Sequence, residues 1–236
     1  METYSKTFTV TNNMLDAFDN LRMSSILDIS QEIAGDHANL LHVGFDEFIK
    51  RNYIWVILRN KVEVIKNVTD LKSVRCVTNL AKPRFFEFPR DYLFYQGEDL
   101  IIKSRSIWAI YDLNLKKVVI PNDIKSLFVE DEGYFDRIRK LPVIKKENLT
   151  FYKDIEVTFS MLDHNGHMNN TRCADIFLDV FNLKKEEKIK SFQIEYVSQS
   201  FLNDKISLFT KIENNIKYLF GYNNDELKFY MEVEFI

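Results

Sequence analysis

The sequence predicts an α+β protein made of two copies of one module, each an antiparallel sheet wrapped around one long helix. Three observations support this prediction. Segments of the first half recur in the same order in the second half, a helical periodicity occurs once in each half, and β-rich segments follow each helix. A chain of 236 residues is long enough for two small domains with separate cores.

The bulk composition excludes several classes of protein. With 46% hydrophobic and 28% charged residues, the chain has the composition of a globular protein rather than a disordered one. A net charge of −3 argues against nucleic-acid binding. No stretch reaches the apolar length of a membrane span or of a signal peptide, so we expect a soluble, cytoplasmic protein without a membrane partner. Cys76 and Cys173 lack any zinc-binding spacing, and we expect both to be reduced and buried.

The repeat is visible without gaps. A shift of 147 positions aligns Lys6 with Lys153 and the string Met-Leu-Asp at 14–16 with the same string at 161–163. Further along, Tyr-Leu-Phe precedes a turn at 92–94 and again at 218–220. Chance explains any single match, but their common order favours a duplication.

The sequence of the first copy predicts one strand, one helix and then a run of strands. Ile26, Ile29, Ile33 and His37 recur at helical spacing, and Ser24 or Ser25 is expected to cap this helix. The predicted strands, rich in Val, Ile, Phe and Tyr, cover residues 5–11, 53–65, 72–81, 85–95 and 100–111.

The second copy repeats this order. A helix at about 170–181 has an apolar face that includes Ile176, Phe177 and Val180. The predicted strands cover residues 155–159, 191–197, 205–212, 216–222 and 227–236.

A polar segment separates the copies. Residues 121–148 include Pro142 and the acidic run Glu130, Asp131 and Glu132, and they lack a sustained strand pattern. We therefore divide the chain into a first module at 1–130, a linker at 131–148 and a second module at 149–236.

The densest polar cluster lies between the first strand and the helix of the second copy, in the sequence DHNGHMNN at 163–170. A strand-to-helix junction presents backbone N–H groups and the positive end of a helix dipole, which suit an oxygen that gains negative charge. The first copy keeps Asp16 but has Phe18 and Asn20 where the second has Asn165 and His167. Because only the second junction has a histidine, the candidate general acid or base, we predict the active site there.

Two other interpretations apply to this cluster. An Asn-Gly turn that caps a helix needs no catalytic role. His164 and His167 could also suggest a metal pair, but no third ligand stands at a convincing spacing. We therefore predict neither a metal nor a cofactor.

The string Asp163-x-Asn165-x-His167-Met168-Asn169-Asn170 resembles the D-x-N-x-H-V-N-N signature of acyl-acyl carrier protein (acyl-ACP) thioesterases. Other segments are similar to that family in the same order along the chain: SQEIAGDH at 30–37, WVILR at 55–59, RDY at 90–92 and SIWA at 106–109. The resemblance implies a tandem, or double, hotdog fold. It also implies hydrolysis of fatty acyl-ACP, with catalysis in the second hotdog. The acyl chain needs an apolar tunnel, and we expect the aromatic and branched residues of the first copy to line it.

The resemblance carries catalytic roles to Asp163, Asn165 and His167. At the fourth position the family has a Glu, whereas this chain has Gln199, followed by Ser200 where plant members have Cys. Cys173 likewise stands where many members have Tyr. Gln can orient a water molecule but cannot take its proton at neutral pH. These departures affect the expected rate and substrate preference, and they leave the predicted fold unchanged.

The resulting hypothesis is attack by water. His167 acts as general base or acid, Asp163 orients or polarises its neighbours, and Asn165 positions the water or the imidazole. Backbone N–H groups at the helix start are expected to bind the oxyanion, and Gln199 to hold the water.

Partners and rival functions follow from the same residues. Acyl carrier protein is the expected partner, and basic clusters at 137–146 and at 184–190 are either solvated faces or docking surfaces for it. An acyl-CoA thioesterase or hotdog dehydratase and a weakly active acyl-binding protein are the alternatives. The sequence leaves the oligomeric state open, and a homodimer is one of the states it allows.

Overall fold

The computed structural model describes residues 3–67, 71–128 and 133–236. The chain forms two compact units, Met1–Ile138 and Arg139–Ile236. Each unit is described separately below.

The first unit is an antiparallel sheet that packs against one long helix. Its helices are α1 (Met23–Leu40), α2 (Phe45–Lys50) and α3 (Asn122–Lys125), and its strands are β1 (Tyr4–Thr9), β2 (Tyr53–Val64), β3 (Ser73–Leu80), β4 (Phe88–Gln96), β5 (Asp99–Asp112) and β6 (Lys117–Val119). The strands lie in the order β1-β3-β4-β5-β2, neighbouring strands are antiparallel, and β6 pairs with β5.

The second unit has the same architecture. It contains β7 (Thr150–Glu156), α4 (Arg172–Phe181), β8 (Ile189–Tyr196), β9 (Lys205–Glu213), β10 (Ile216–Asn223) and β11 (Glu226–Phe235). Its strands lie in the order β7-β9-β10-β11-β8, which is the order of the first unit element for element. This correspondence supports the duplication, and the predicted α+β class with one central helix per copy is confirmed.

Helix α1 buries the face that the spacing predicts. Ile26, Ile29 and Ile33 are buried, while the serines expected as caps, Ser24 and Ser25, are buried inside the first turn. The cap prediction is therefore wrong. The helix begins earlier because the preceding turn fixes Arg22, whose N–H donates to the Met14 carbonyl.

Helix α4 is shorter than the sequence suggested. It has 10 residues against 18 in α1, and it ends where Asn182 adopts a left-handed conformation with φ 43°. Ile176, Phe177 and Val180 form its buried face, as predicted. In the described part of the chain, neither this helix nor any other is long and apolar enough to span a bilayer.

One strand was misplaced. Residues 155–159 were expected to form the first strand of the second copy, but β7 covers Thr150–Glu156 and Phe159–Met161 form a 3₁₀ turn. β7 lies at the end of the strand order, and all its residues except Ile155 are exposed. A strand with so little burial does not need alternating apolar and polar residues, and this alternation is the signal from which strands are predicted. The short elements α2, α3 and β6 were not predicted, because they are too short to show a periodicity.

The interior of the first unit contains a buried polar group beneath α1. Arg90 Nη1 lies 2.9 Å from His37 Nδ1, and the two side chains are 7% and 4% exposed. Burial, and then the charge of Arg90, lower the pKa of His37 from 6.5 to about 4. His37 is thus neutral and accepts a hydrogen bond from the guanidinium at neutral pH.

This imidazole should make the stability of the first unit depend on pH. Between pH 6.5 and 4 the unfolded chain binds a proton at His37 that the folded chain does not, so stability falls as the pH is lowered through this window. We expect the wild type to lose roughly 2–3 kcal/mol more than His37→Gln between pH 7.5 and 4.5. Tryptophan fluorescence during urea unfolding measures this loss for the first unit, because Trp55 and Trp108 both belong to it. An identical loss in both proteins would contradict the assignment.

The chain that connects the modules is fastened to the first unit by a buried ion pair. Asp91 is fully buried, and its Oδ2 accepts hydrogen bonds from Arg105 Nη2 at 2.8 Å and from the Tyr134 N–H at 2.6 Å. Arg105 Nη1 also donates to the Phe135 carbonyl at 3.1 Å. Gly133 has φ 78°, and a β-carbon there would collide with the Asp91 carboxylate. The backbone therefore passes directly over the ion pair.

The next residues of the connecting chain, from Arg139 onward, are held to the second unit by hydrogen bonds. Gln193 Nε2 donates to the Arg139 carbonyl at 2.8 Å, the Leu141 N–H donates to Glu195 Oε1 at 3.1 Å, and the Tyr230 hydroxyl donates to the Leu141 carbonyl at 2.8 Å. The aliphatic side chains of this stretch pack against a cluster of aromatic residues on the sheet. The packed residues are Leu141, Ile144 and Leu149 against Phe220, Tyr222 and Tyr230.

These contacts bear on the predicted linker at 131–148. Its described residues group with the units that they contact, 133–138 with the first and 139–148 with the second. The acidic run at 130–132 and the predicted boundary after residue 130 lie outside the described residues.

Candidate active site

Three of the four predicted catalytic residues, Asp163, Asn165 and His167, lie in one tight turn between the 3₁₀ turn at Phe159–Met161 and helix α4. Asp163 Oδ1 accepts hydrogen bonds from the backbone N–H groups of Asn165 at 2.8 Å and of His167 at 3.3 Å. The Asp163 N–H donates to the His167 carbonyl at 2.8 Å, and Gly166 provides the positive φ of 77° that the turn requires. The Asp163 carboxylate therefore shapes the turn that presents the other two residues.

The first unit contains the same turn, almost bond for bond. Asp16 Oδ1 accepts from the backbone N–H groups of Phe18 at 2.8 Å and of Asn20 at 2.9 Å, and the Asp16 N–H donates to the Asn20 carbonyl at 2.8 Å. Asp19, with φ 62°, takes the place of Gly166. Because the first turn has no imidazole, this use of the aspartate belongs to the architecture of the repeat and not to catalysis.

The two turns differ at the second oxygen of the aspartate. In the first turn the Asn20 carboxamide donates to both Asp16 oxygens at 3.3 Å. In the second turn His167 occupies the equivalent position, and its ring forms no hydrogen bond with Asp163. Among the described residues, Asp163 Oδ2 has no hydrogen-bond partner. The substitution of Asn by His thus supplies an imidazole and also leaves one carboxylate oxygen open.

The imidazole of His167 is half-buried against the loop that follows β8. Its ring packs edge-on against Phe201, with 5.0 Å between ring centroids, and the two residues form an isolated β-bridge. The Met168 N–H donates to the Ser200 carbonyl at 2.8 Å. Within the described chain, neither ring nitrogen of His167 has a hydrogen-bond partner, so both remain available to water or substrate.

Gln199 lies in this same loop, adjacent to Ser200. Its side chain is exposed and forms no hydrogen bond with any described residue, while its carbonyl oxygen accepts from Lys228 Nζ at 3.0 Å. The backbone contacts of Ser200 and Phe201 bring the loop against the His167 turn. The structure thus brings all four predicted residues onto two neighbouring segments of the second unit.

The start of α4 offers fewer donors than predicted. Asn169 Oδ1 accepts from the Thr171 N–H at 3.0 Å, and the N–H groups of Arg172 and Ala174 donate to the carbonyls of Asn169 and Thr171. These three amides are therefore already engaged, and the expectation that backbone N–H groups at the helix start bind an oxyanion stays a prediction. The Asn165 carboxamide is exposed and has no hydrogen-bond partner among the described residues, so it can act as a donor instead.

Some participants were missed from the sequence. Asn169 accepts the Thr171 N–H just before helix α4, Phe201 supports the imidazole, and Lys228 holds the loop of Gln199. Only Asn169 had a local signal, because an Asn just before a helix is a favoured cap. Across the described ranges, no group of three or more His, Cys, Asp or Glu side chains is arranged to hold a metal ion.

Comparisons with known proteins point to one family along most of the chain. Residues 1–128 match the family model described as the acyl-ACP thioesterase N-terminal domain, and residues 144–232 match the acyl-ACP thioesterase C-terminal domain. A chloroplastic palmitoyl-acyl carrier protein thioesterase of Arabidopsis thaliana is 26% identical over 214 residues, which are 82% of this chain and 51% of the plant sequence. The chain thus spans about half the length of the curated relatives it matches.

Solved structures are similar over nearly the whole chain. An acyl-ACP thioesterase from Bacteroides thetaiotaomicron is 21% identical with a TM-score of 0.89, and the match covers 99% of this chain and 98% of that one. A 12:0-ACP thioesterase from Umbellularia californica is 16% identical with a TM-score of 0.88 and a coverage of 99% and 97%. The predicted double hotdog fold is confirmed.

Proposed function

Because the chain belongs to the acyl-ACP thioesterase family, we propose that it hydrolyses the thioester between a fatty acyl chain and acyl carrier protein. The products are the free fatty acid and the carrier-protein thiol. One observation carries the proposal beyond family membership. Of two otherwise equivalent turns, only the second combines an imidazole with an open carboxylate oxygen, at His167 and Asp163.

In this mechanism a water molecule attacks the thioester carbonyl carbon. The His167 imidazole takes one proton from the water while Asp163 Oδ2 accepts a hydrogen bond from that water, and the protonated imidazole then gives the same proton to the departing sulfur. The C–S bond breaks as the tetrahedral intermediate collapses to the carboxylic acid. Asp163 keeps its Oδ1 on the backbone amides of the turn throughout, so the carboxylate stays in place while Oδ2 acts.

Two amide side chains assist. The Asn165 carboxamide donates a hydrogen bond to the oxygen that gains charge, a contribution worth about 3 kcal/mol per donor in other enzymes. Gln199 orients the water, because a carboxamide accepts a hydrogen bond from water without taking its proton. Both side chains are exposed and uncommitted among the described residues, which supports these roles.

We assign the acyl chain to the first unit. Its turn lacks the imidazole, and its core is rich in large apolar side chains, including Phe48 and Phe88, with Trp55 and Trp108 packed against them. For the carrier protein, which is acidic, we propose docking on basic side chains of the second unit. Lys184 and Lys185 are exposed and form no salt bridge among the described residues.

The decisive experiment compares one acyl chain presented on carrier protein and on CoA, over a series of chain lengths. A thiol reagent detects the released product, and Cys76 and Cys173 should not interfere because both are buried. We expect turnover with a higher kcat/KM for the carrier-protein substrate. A preference for CoA would favour an acyl-CoA thioesterase, and tight acyl binding without turnover would favour an acyl-binding protein; either result would overturn the proposal.

Two sequence-based predictions stay predictions beside this function. They are assembly as a homodimer, which light scattering on the purified protein would test, and a cytoplasmic location, which cell fractionation would test.

A further inference from the structure

Lys228, on β11, is a buried cation close to the candidate active site. Its side chain is only 7% exposed, and Nζ donates to the Gln199 carbonyl at 3.0 Å and to Glu226 Oε2 at 2.9 Å. Glu226 itself is 59% exposed, so the ion pair is open to solvent on the acidic side only. Burying an ammonium group is unfavourable unless its hydrogen bonds are satisfied, and here one of the two partners is a backbone carbonyl.

The backbone of Lys228 holds the same loop as its side chain. The N–H groups of Val197 and Ser198 donate to the Lys228 carbonyl at 2.9 and 3.1 Å, and Ser198 Oγ donates to the Leu227 carbonyl at 3.4 Å. Residues 197, 198 and 199 are therefore each attached to β11. Of these three attachments, only the hydrogen bond to the Gln199 carbonyl is made by the side chain of Lys228.

The loop then passes directly to the catalytic turn. The Ser200 carbonyl accepts from the Met168 N–H at 2.8 Å, and Phe201 supports the His167 ring at 5.0 Å. A displacement of Gln199 would therefore move Ser200, which binds Met168. It would also move Phe201, against which the His167 imidazole packs.

We propose that Lys228 is a positioning residue, whose ammonium group fixes the loop 197–201 and thereby sets the orientation of the His167 imidazole and of the Gln199 carboxamide. The inference rests on the proposed function for its catalytic consequence, but the coupling between Lys228 and His167 exists in the free protein. A fully apolar side chain would suit a buried strand position better if stability were its only role.

Lys228→Met tests this, because Met keeps most of the apolar stem and removes the charge and all three donors. We expect kcat to fall about 10-fold with KM within about twofold of wild type, since a displaced catalytic group weakens the transition state more than substrate binding. We also expect the His167 imidazole signals to shift in NMR spectra of the free protein. Lys228→Arg, which restores the donors, should recover kcat to within about threefold.

The matched control is Glu226→Gln. It removes the charge of the exposed partner but leaves the ammonium–carbonyl bond, so kcat and the His167 signals should stay at wild-type values. If Met at position 228 prevents folding, Lys228→Gln replaces it and is judged by the same two readouts. The terminal nitrogen of Gln is one atom closer to the backbone than that of Lys, so its bond to the Gln199 carbonyl is weakened or lost.

Unchanged kcat and unchanged His167 signals in Lys228→Met would overturn the proposal. A raised KM with wild-type kcat would also overturn it, because that result indicates contact with substrate. The NMR measurement distinguishes a failure of the proposed function from a failure of the positioning role of Lys228. If the wild type hydrolyses no acyl thioester, the proposed function fails, while a shift of the His167 signals would still support the positioning role and unshifted signals would refute it.

Discussion

Replacing His167 with Asn is expected to lower kcat for acyl-ACP hydrolysis at least about 100-fold without unfolding the protein. The change copies the first turn, in which the Asn20 carboxamide donates to both oxygens of Asp16. It therefore removes the imidazole and covers the open oxygen of Asp163 in a single step. Steady-state kinetics on an acyl-ACP substrate measure the loss, and urea unfolding should show a stability within about 1 kcal/mol of wild type.

The first turn provides the control. Asn20→Ala removes the carboxamide that covers Asp16 and leaves the second turn untouched, so kcat should stay within about twofold of wild type. Full activity in folded His167→Asn would place the chemistry elsewhere. An equal loss of activity in Asn20→Ala would show that the turns act through general stability rather than through catalysis.

Asp91→Ala is expected to destabilise the first unit by about 3–5 kcal/mol, the usual range for removing one partner of a buried ion pair. Asp91 is fully buried, its carboxylate binds the Arg105 guanidinium, and it also accepts the N–H of Tyr134. The substitution leaves a buried guanidinium without its carboxylate and releases the backbone that follows Gly133. Because both tryptophans belong to the first unit, their fluorescence during urea unfolding reports this loss specifically.

An exposed pair on the same unit gives the comparison. Lys66 Nζ and Asp99 Oδ2 lie 2.6 Å apart, but the two side chains are 56% and 65% exposed. Asp99→Ala should therefore change the free energy of unfolding by less than about 1 kcal/mol. If the two variants unfold at the same urea concentration, the buried pair does not fasten the connecting segment as described.

The architecture and the position of the candidate site were predictable because their signals are local in the sequence. The string Met-Leu-Asp occurs before both turns, so the repeat could be found by shifting the chain against itself. The polar cluster at 163–170 is contiguous, and its contrast with Phe18 and Asn20 needed no coordinates. Helix α4 was placed to within two residues from the spacing of Ile176, Phe177 and Val180.

The remaining features depend on contacts between distant residues. Lys228 lies in an ordinary strand pattern, and only folding brings it to Gln199, 29 residues earlier. The open oxygen of Asp163 could not be inferred either, because it results from a hydrogen bond that His167 does not make. The exposed edge strand β7 was misplaced since a strand with little burial carries little hydrophobic pattern.

The near identity of the two turns has an evolutionary consequence. Codons for Asn and His differ by a single base, so one point mutation separates a turn with a covered carboxylate from a turn with an imidazole and an accessible oxygen. Whether the ancestral module gained or lost the histidine, the backbone needed no remodelling, because aspartate holds the same amides in both states. A duplicated gene of this kind can therefore gain or lose an imidazole and an accessible carboxylate oxygen in one of its copies by one mutational step, without rebuilding the turn.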